Sequence, residues 1–495
     1  MMQILLYIAT LVMMVIIMPG MLFNTFGIHN DYSLLGTTAA DALGFVEAKH
    51  LMMIGRILGG LLVSWQGLWT PTIEVLSWWR IVGFVFTLIA VGLMVRFIYR
   101  RGFDKSLIPW ALISLIALPC VNVGFLWSVH VLPGALNLIV GLAAYLLFNR
   151  SLEGYRIKPS FNALMCFLGG MTLIFISLWI YFPTACVFLL MGYLKVLWFR
   201  EGEKPLRLWL RDIVFFSFAV IIYVVIDRCV IYQWVINTTA VVNIDPEYQM
   251  SLTRLPWHKW RLLVDALVVS WQGQWQGYQS LALWMCIAEG VTFFLLMIYG
   301  GCRRLDFWYR LFIALLGAGV LLIITQLPSI LSVGINELKG YRVIIVPMLA
   351  MMFLKIWMID SLLRQMPARM FQPIATAWLV VIMATALLTV KITVNRHQAE
   401  LLALERAVIY LHGDAKVRTL DIIPARLPND MLGGRVLSEY NYMMSLEQHV
   451  RPAFNALCFK YQLLPYRYRL NIVGKQSIVP IGPTRLIVNL QESMR

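Results

Sequence analysis

Three carboxylates, Asp31, Asp41 and Glu47, fall in one polar stretch that follows an apolar run at 3–22. Asp31 lies in Phe26-Gly27-Ile28-His29-Asn30-Asp31-Tyr32, a few residues beyond that run. A carboxylate so placed, next to a bilayer surface, can take a proton from an acceptor hydroxyl or help hold a divalent metal. It suits a solvated loop or a helix N-cap as well. Asn30 and Tyr32 flank it with groups that donate and accept hydrogen bonds. Arg56 sits in the otherwise apolar stretch Leu51 to Val63. A guanidinium near membrane depth is costly unless paired. A phosphate would satisfy it through two parallel hydrogen bonds, and a pair with Glu47 or Asp41 would satisfy it too. Lys339 and Arg342 bracket Gly340-Tyr341; they can grip the same phosphate from the other side or anchor a helix end by snorkelling.

Aromatic residues form a second pattern. Ser64-Trp65-Gln66-Gly67-Leu68-Trp69 echoes Ser270-Trp271-Gln272-Gly273-Gln274-Trp275. Trp65, Trp69, Trp271 and Trp275 are either belts at the membrane interface or flat platforms for a polyhydroxylated ligand, with the glutamines as donors and acceptors. His258, Lys259 and Arg261 alternate with Trp257 and Trp260, the composition of a stretch lying on a membrane surface. Asp227-Arg228 falls within an apolar run, as a neighbouring pair facing a bundle interior would. Phosphate-binding glycine loops, zinc-protease motifs and nucleophile elbows are absent.

The elements that must position these residues are membrane helices. The 495 residues are 60% hydrophobic and only 13% charged, about half the charge of a soluble domain, where roughly 25% is usual. A span needs about 20 apolar residues, and eleven runs qualify: 3–22, 79–99, 107–128, 131–148, 161–180, 183–199, 212–236, 280–300, 310–330, 341–360 and 373–394. Most of them carry no charge at mid-membrane. The first has no basic leader and no cleavage site, so it reads as a retained span. Residues 52–70 read as a helix lying in the interface or dipping back. The expected fold is therefore an all-α polytopic membrane protein of about 11 transmembrane helices, occupying 1–394, with a small C-terminal α/β domain over 395–495.

Arginine and lysine set the orientation. Loops around 100–105, 150–158, 195–211, 303–310 and 364–369 are short and basic, and the alternate loops carry fewer cations over more sequence. The first set is expected in the cytoplasm, with the N-terminus inside and the tail outside. The net charge of +16 thus marks orientation and membrane lipids rather than nucleic acid. The outer side holds loops 23–78, 237–279 and 331–340 and the tail. In the tail, an amphipathic helix (Gln398 to Leu411), a strand (Arg418 to Ile423), a helix (Ser438 to Tyr461) and a last strand (Thr484 to Leu490) are expected. The seven cysteines are scattered, with no metal or disulfide spacing.

A first helix followed by an acidic outer loop that ends in a Gly-Arg helix resembles the membrane glycosyltransferases of the C-type fold (GT-C). Within them the chain is most similar to the serotype-converting O-antigen glucosyltransferases. The matching positions are Asn30-Asp31-Tyr32, Gly55-Arg56-Ile57-Leu58, and Gly340-Tyr341-Arg342 followed by Pro347. Asn30 departs from the paired aspartates common in that family. The resemblance implies a polyprenyl-phosphate-linked sugar donor, such as an undecaprenyl-phosphate glucose, and an acceptor such as lipopolysaccharide or another surface glycan. It implies Asp31 as base, with Asp41 and Glu47 nearby, Arg56, Lys339 and Arg342 at the donor phosphate, and Asn30, Tyr32 and the four tryptophans at the acceptor. The setting would be the periplasmic face of a bacterial inner membrane. Two other classes fit the same sequence: a polysaccharide polymerase or ligase, and a transporter or flippase of lipid-linked glycans.

Overall fold

The computed structural model describes residues 56–70, 72–118, 121, 131–157, 161–200, 203–227, 229, 258–272, 279–299, 305–331, 341–363, 368–413 and 419–423, and in the tail 453–455, 457–458, 460–461, 468–472 and 485–489. The predicted span 3–22 and the first outer loop up to Gly55 lie outside these residues.

The chain is an all-α membrane protein with a small sheet near its C-terminus. Its helices are α1 (Ile57–Leu68), α2 (Ile73–Arg100), α3 (Ile108–Ile116), α4 (Asn137–Ile157), α5 (Phe161–Ile180), α6 (Phe182–Ala185), α7 (Val187–Leu197), α8 (Pro205–Ile226), α9 (His258–Gln272), α10 (Gln279–Tyr299), α11 (Leu305–Leu331), α12 (Tyr341–Leu363) and α13 (Ala368–Gly413). Among the described residues, five segments are long and apolar enough to cross a membrane, within α2, across the start of α4, and in α5, α8 and α11.

Helix α8 shows why these residues form spans. Leu210, Val214, Phe218, Ile221 and Val225 recur every three or four residues and are exposed, while Trp209, Asp212, Phe216, Ala219 and Tyr223 on the other stripe are buried. One face meets lipid and the other meets protein. Its 22 residues span about 33 Å, close to the hydrocarbon thickness of roughly 30 Å. Helix α7 is buried along its whole length, so it forms the axis of the bundle. Helices α4 and α5 form the tightest hairpin: a Cβ on Gly170 would sit 3.2 Å from the Ala144 carbonyl oxygen and the Phe148 nitrogen, so only a small residue permits this backbone approach.

The basic loops gather at one end of the bundle. Arg101 pairs with Glu203 and donates from Nε to the Trp198 carbonyl at 2.9 Å. Arg200 donates to the Arg100 carbonyl at 2.7 Å. Trp198 Nε1 donates to Asp360 Oδ2 at 2.9 Å, the Arg310 guanidinium lies 4.2 Å over the Phe199 ring, and Lys195 reaches Asn149 at 2.7 Å. These contacts tie the ends of α2, α4, α7 and α12 to the starts of α8 and α11. The opposite end is closed by Asn137, whose Nδ2 donates to the carbonyls of Ser177 and Tyr181, both at 2.9 Å, and to Thr184 Oγ1 at 2.8 Å.

Helix α13 differs from expectation. The sequence reads as a span over 373–394 and a separate amphipathic helix from Gln398; the structure joins them into one helix of 46 residues. No Gly or Pro interrupts it between Ile374 and Leu411, and the polar run Asn395-Arg396-His397 changes the solvent, not the backbone. At 1.5 Å per residue the helix is about 69 Å long, more than twice the hydrocarbon thickness. The expected boundary at 394/395 therefore falls inside a continuous rod. Beyond it Leu401, Leu404, Val408 and Leu411 form a buried stripe in the same core as Leu420, Ile422, Phe454 and Leu457.

Three parallel strands complete this part: β1 (Thr419–Ile423), β2 (Arg469–Ile472) and β3 (Arg485–Asn489), in the order β2-β1-β3. Leu420 pairs with Leu470 and with Leu486. The first and last strands lie where the sequence reads as strand; β2 was not expected.

Candidate functional site

Arg56 is the one predicted cation whose side chain the structure describes. It caps the N-terminus of α1, where its carbonyl accepts from Gly60 at 2.8 Å. Its guanidinium lies 4.5 Å above the centroid of the Tyr181 ring, a cation–π contact. Tyr181 follows α5, beside the Asn137 closure, so Arg56 stands at the end of the bundle away from the basic loops. Gly59 makes this seating possible: a Cβ there would fall 2.5 Å from the Ile180 carbonyl oxygen. Among the described residues no carboxylate reaches Arg56, and the side chain is half-buried.

Helix α1 ends in the first Ser-Trp-Gln-Gly copy. Thr70 Oγ1 donates to the Gln66 carbonyl at 2.7 Å and accepts from Trp79 Nε1 at 2.8 Å. The Trp65 ring lies 6.3 Å from Trp69 and 5.8 Å from Trp79. Trp65 and Trp69 are 49% and 62% exposed, so this shelf offers aromatic faces outward. Six residues, Val131–Leu136, wind as a π-helix and pack under α1 and α2.

The second copy ends α9, so both copies close a short helix that precedes a long one. Their surroundings differ. Trp271 is half-buried. Its carbonyl accepts from Lys355 Nζ at 2.8 Å, and the same ammonium lies 5.2 Å from its ring centroid. Lys355 also pairs with Glu289 at 2.6 Å, with side-chain exposures of 3% and 8%. Trp271 is thus a packed, charge-supported residue rather than an open platform.

Lys355 and Glu289 escape the sequence reading, which expects most spans to be free of mid-membrane charge. They are exceptions to it: α10 buries Glu289, and α12 buries Lys355 and, nearer the basic end, Asp360; early in α8, Asp212 is buried, pairs with Arg211 at 2.5 Å and accepts from Tyr145 Oη at 3.4 Å. One charge in a window of 20 apolar residues barely lowers its hydropathy, so the windows pass. The available signal is the ionisable residue itself inside an apolar run. Asp227 is buried at the end of α8.

Asp31, Asp41, Glu47, Asn30, Tyr32, Lys339 and Trp275 lie outside the described residues, as does Arg228; of Arg342 the backbone alone is described, as the second residue of α12. Among the described residues no group of three His, Cys, Asp or Glu side chains could hold a metal ion.

In the tail, Lys460 Nζ and Tyr461 Oη both donate to Glu405 Oε1 at 2.7 Å. Burial works to raise the Glu405 carboxyl, but these two hydrogen bonds and the ammonium charge hold it below the usual carboxylate range. The hydrogen bond to Glu405 raises Lys460, and the same carboxylate raises Tyr461. Burial pushes the Cys458 thiol up to about 12, which keeps it protonated. The Lys460 ammonium also interacts electrostatically with Glu74 at the start of α2; the tail therefore sits at the Arg56 end of the bundle.

No protein-family model, curated protein or solved structure matches this chain.

Proposed function

We propose that this chain is a membrane glycosyltransferase of the GT-C type, with about 11 spans, which moves a sugar, glucosyl in the first instance, from a polyprenyl-phosphate donor to a surface glycan such as O-antigen. The observation that supports it best is Arg56. It is a half-buried guanidinium at the end of the bundle opposite the basic loops, seated on an aromatic ring, with no carboxylate partner among the described residues. A cation held there, with no carboxylate beside it among the described residues, suits a phosphate of a lipid at that surface. In this reading Asp31, with Asp41 and Glu47, takes the proton of the acceptor hydroxyl. The donor's anomeric carbon bonds to the acceptor oxygen, and the lipid phosphate leaves with the bonding pair, held by Arg56, Lys339 and Arg342. Asn30, Tyr32 and the exposed Trp65–Trp69 shelf meet the acceptor, and Trp275 belongs with them. A divalent metal near Asp31 is compatible with this chemistry. The basic end faces the cytoplasm of a bacterial inner membrane, and the tail faces the periplasm.

The test is transfer by purified protein in liposomes from radiolabelled undecaprenyl-phosphate glucose to lipopolysaccharide. Wild type transfers label, and Asp31→Ala loses at least about a hundredfold, the usual size of a general-base contribution. Full activity in Asp31→Asn removes the base assignment. One observation favours a second reading, a transporter of lipid-linked glycans: the mid-membrane pair Glu289–Lys355, of a kind that transport pathways use. That reading expects flipping of the labelled lipid without transfer.

A further inference from the structure

Lys355 lies fourteen residues into α12 and eight before its end at Leu363, hence about 21 Å from one end and about 12 Å from the basic end. Glu289 lies about 15 Å from either end of α10. The carbonyl of Trp271 that Lys355 holds is therefore inside the thickness of the bilayer. Helix α9 is about 21 Å long, and 12 Å is too little room for it toward the basic end, so it runs to the opposite end. Helix α11 starts at the basic end, where Arg310 meets Phe199, with five residues between it and the end of α10. So α10 descends toward the basic end, and α9 has its C-terminal end at mid-depth beside it, as a re-entrant helix would.

A re-entrant helix has a problem at its inner tip. Its last carbonyls have no partner in the helix and no water to turn to. They also carry the negative end of the helix dipole. A lysine ammonium answers both needs, and a carboxylate must then balance the ammonium in lipid. Lys355 and Glu289 do these two things at 2.8 and 2.6 Å. The same turn of sequence, Ser-Trp-Gln-Gly, ends α1 at the outer shelf, and the parallel goes further. Each copy is followed by a long helix, by a double arginine (Arg100-Arg101 and Arg303-Arg304), and by a returning helix near whose end stands Leu-Pro (Leu118-Pro119 and Leu327-Pro328). Helix α9 is the counterpart of the helix that carries Arg56.

We propose that Lys355 and Glu289 are positioning residues that hold the inner tip of α9 in the membrane, and that α9, so held, forms a second wall for the lipid-phosphate donor, opposite in sequence to α1. The second half of this rests on the glycosyltransferase reading; the first half does not.

The experiment uses full-length protein in liposomes with the seven native cysteines replaced by serine and Gln272→Cys as reporter. A water-soluble maleimide reads the opening of the α9 tip. Lys355→Arg keeps a charged donor and labels as slowly as the parent. Lys355→Met removes both the donor to the Trp271 carbonyl and the ion pair with Glu289, and labels at least about tenfold faster. The decisive variant is Lys355→Met/Glu289→Leu, which buries no orphan charge and so keeps its elution profile and melting point. Labelling at least about tenfold faster in this folded double variant, because the Trp271 carbonyl has lost its donor, supports the clamp. Labelling as slow as the parent overturns it, because the pair would then only cancel its own charges. The donor KM decides the second half: a rise of several-fold with kcat kept within about twofold is expected, and an unchanged KM in a variant that labels fast overturns the wall while leaving the clamp. A wild type that transfers no sugar defeats the glycosyltransferase reading, and the labelling result still stands.

Discussion

Arg56 owes its position to three neighbours, each with a separate reason. Tyr181 supplies the ring under the guanidinium, Gly59 lets α1 lie against the Ile180 carbonyl, and the α1 N-terminus sets the direction of the chain. Arg56→Lys keeps the charge but loses the planar fork that a phosphate accepts from, so the donor KM should rise by about tenfold, and Arg56→Ala by more; steady-state kinetics against lipid-linked donor measures both. Buried charge carries a different signature. Lys355→Met or Glu289→Gln alone breaks this buried ion pair and should lower stability by about 3–5 kcal/mol, read as a lower melting point in detergent. Arg56 is conspicuous in the sequence as one cation in an apolar run, whereas its seat on Tyr181 is not, because the two are 125 residues apart. Lys355 and Glu289 are not legible as a pair, because they sit on separate helices far apart in the chain and nothing local links them.

Helices set what these residues can reach. A methyl group on Gly59 has backbone in its way at 2.5 Å, so Gly59→Ala must push α1 off α5. The expected cost is about 1–3 kcal/mol, together with a rise in donor KM, since Arg56 moves with α1. Thermal unfolding and kinetics on the same variant check the two together. Helix α13 offers a second test. Its continuity through Asn395 makes membrane and tail one rod, and Asn395→Pro should break it at a cost of roughly 3 kcal/mol. Limited proteolysis then cuts near the break in the variant and not in wild type. Hydrophobic runs made the five candidate spans among the described residues legible, with α5 starting and ending where its run does. The join in α13 was hidden because polarity was read as an end of structure. Strand β2 was hidden because four residues, Arg469-Leu470-Asn471-Ile472, are too short to show alternation, and only pairing with β1 makes them a strand.

At the scale of the molecule, charge sorts the two ends. The loops rich in arginine converge through Arg101–Glu203, Arg200–Arg100 and Trp198–Asp360, so the bias read from the sequence corresponds to one physical face. The tail is tied at the other end by Glu405, Lys460 and Tyr461. The Glu405 carboxyl is lower in the folded chain than in the unfolded one, so its contribution is present above the ordinary value of about 4.3 and lost as pH falls through the lowered one. Lys460 is raised, so its contribution is present below about 10.4 and lost as pH rises through the raised value. The tie should hold between these limits and loosen outside them; protease sensitivity of the tail across pH measures this, and Glu405→Gln should remove the acid limb. The first outer loop, with Asp31, Asp41 and Glu47, lies outside the described residues.

The central claim is that chemistry occurs at the Arg56 end of the bundle. Proteoliposomes sorted by protease access to a C-terminal tag give vesicles of one orientation, with lipid-linked glucose in the membrane and lipopolysaccharide added to one side at a time. The account predicts label on the acceptor only when the acceptor shares the side of the tail, and none with Arg56→Ala/Asp31→Ala. Label transferred only from the side of the arginine-rich loops would contradict it.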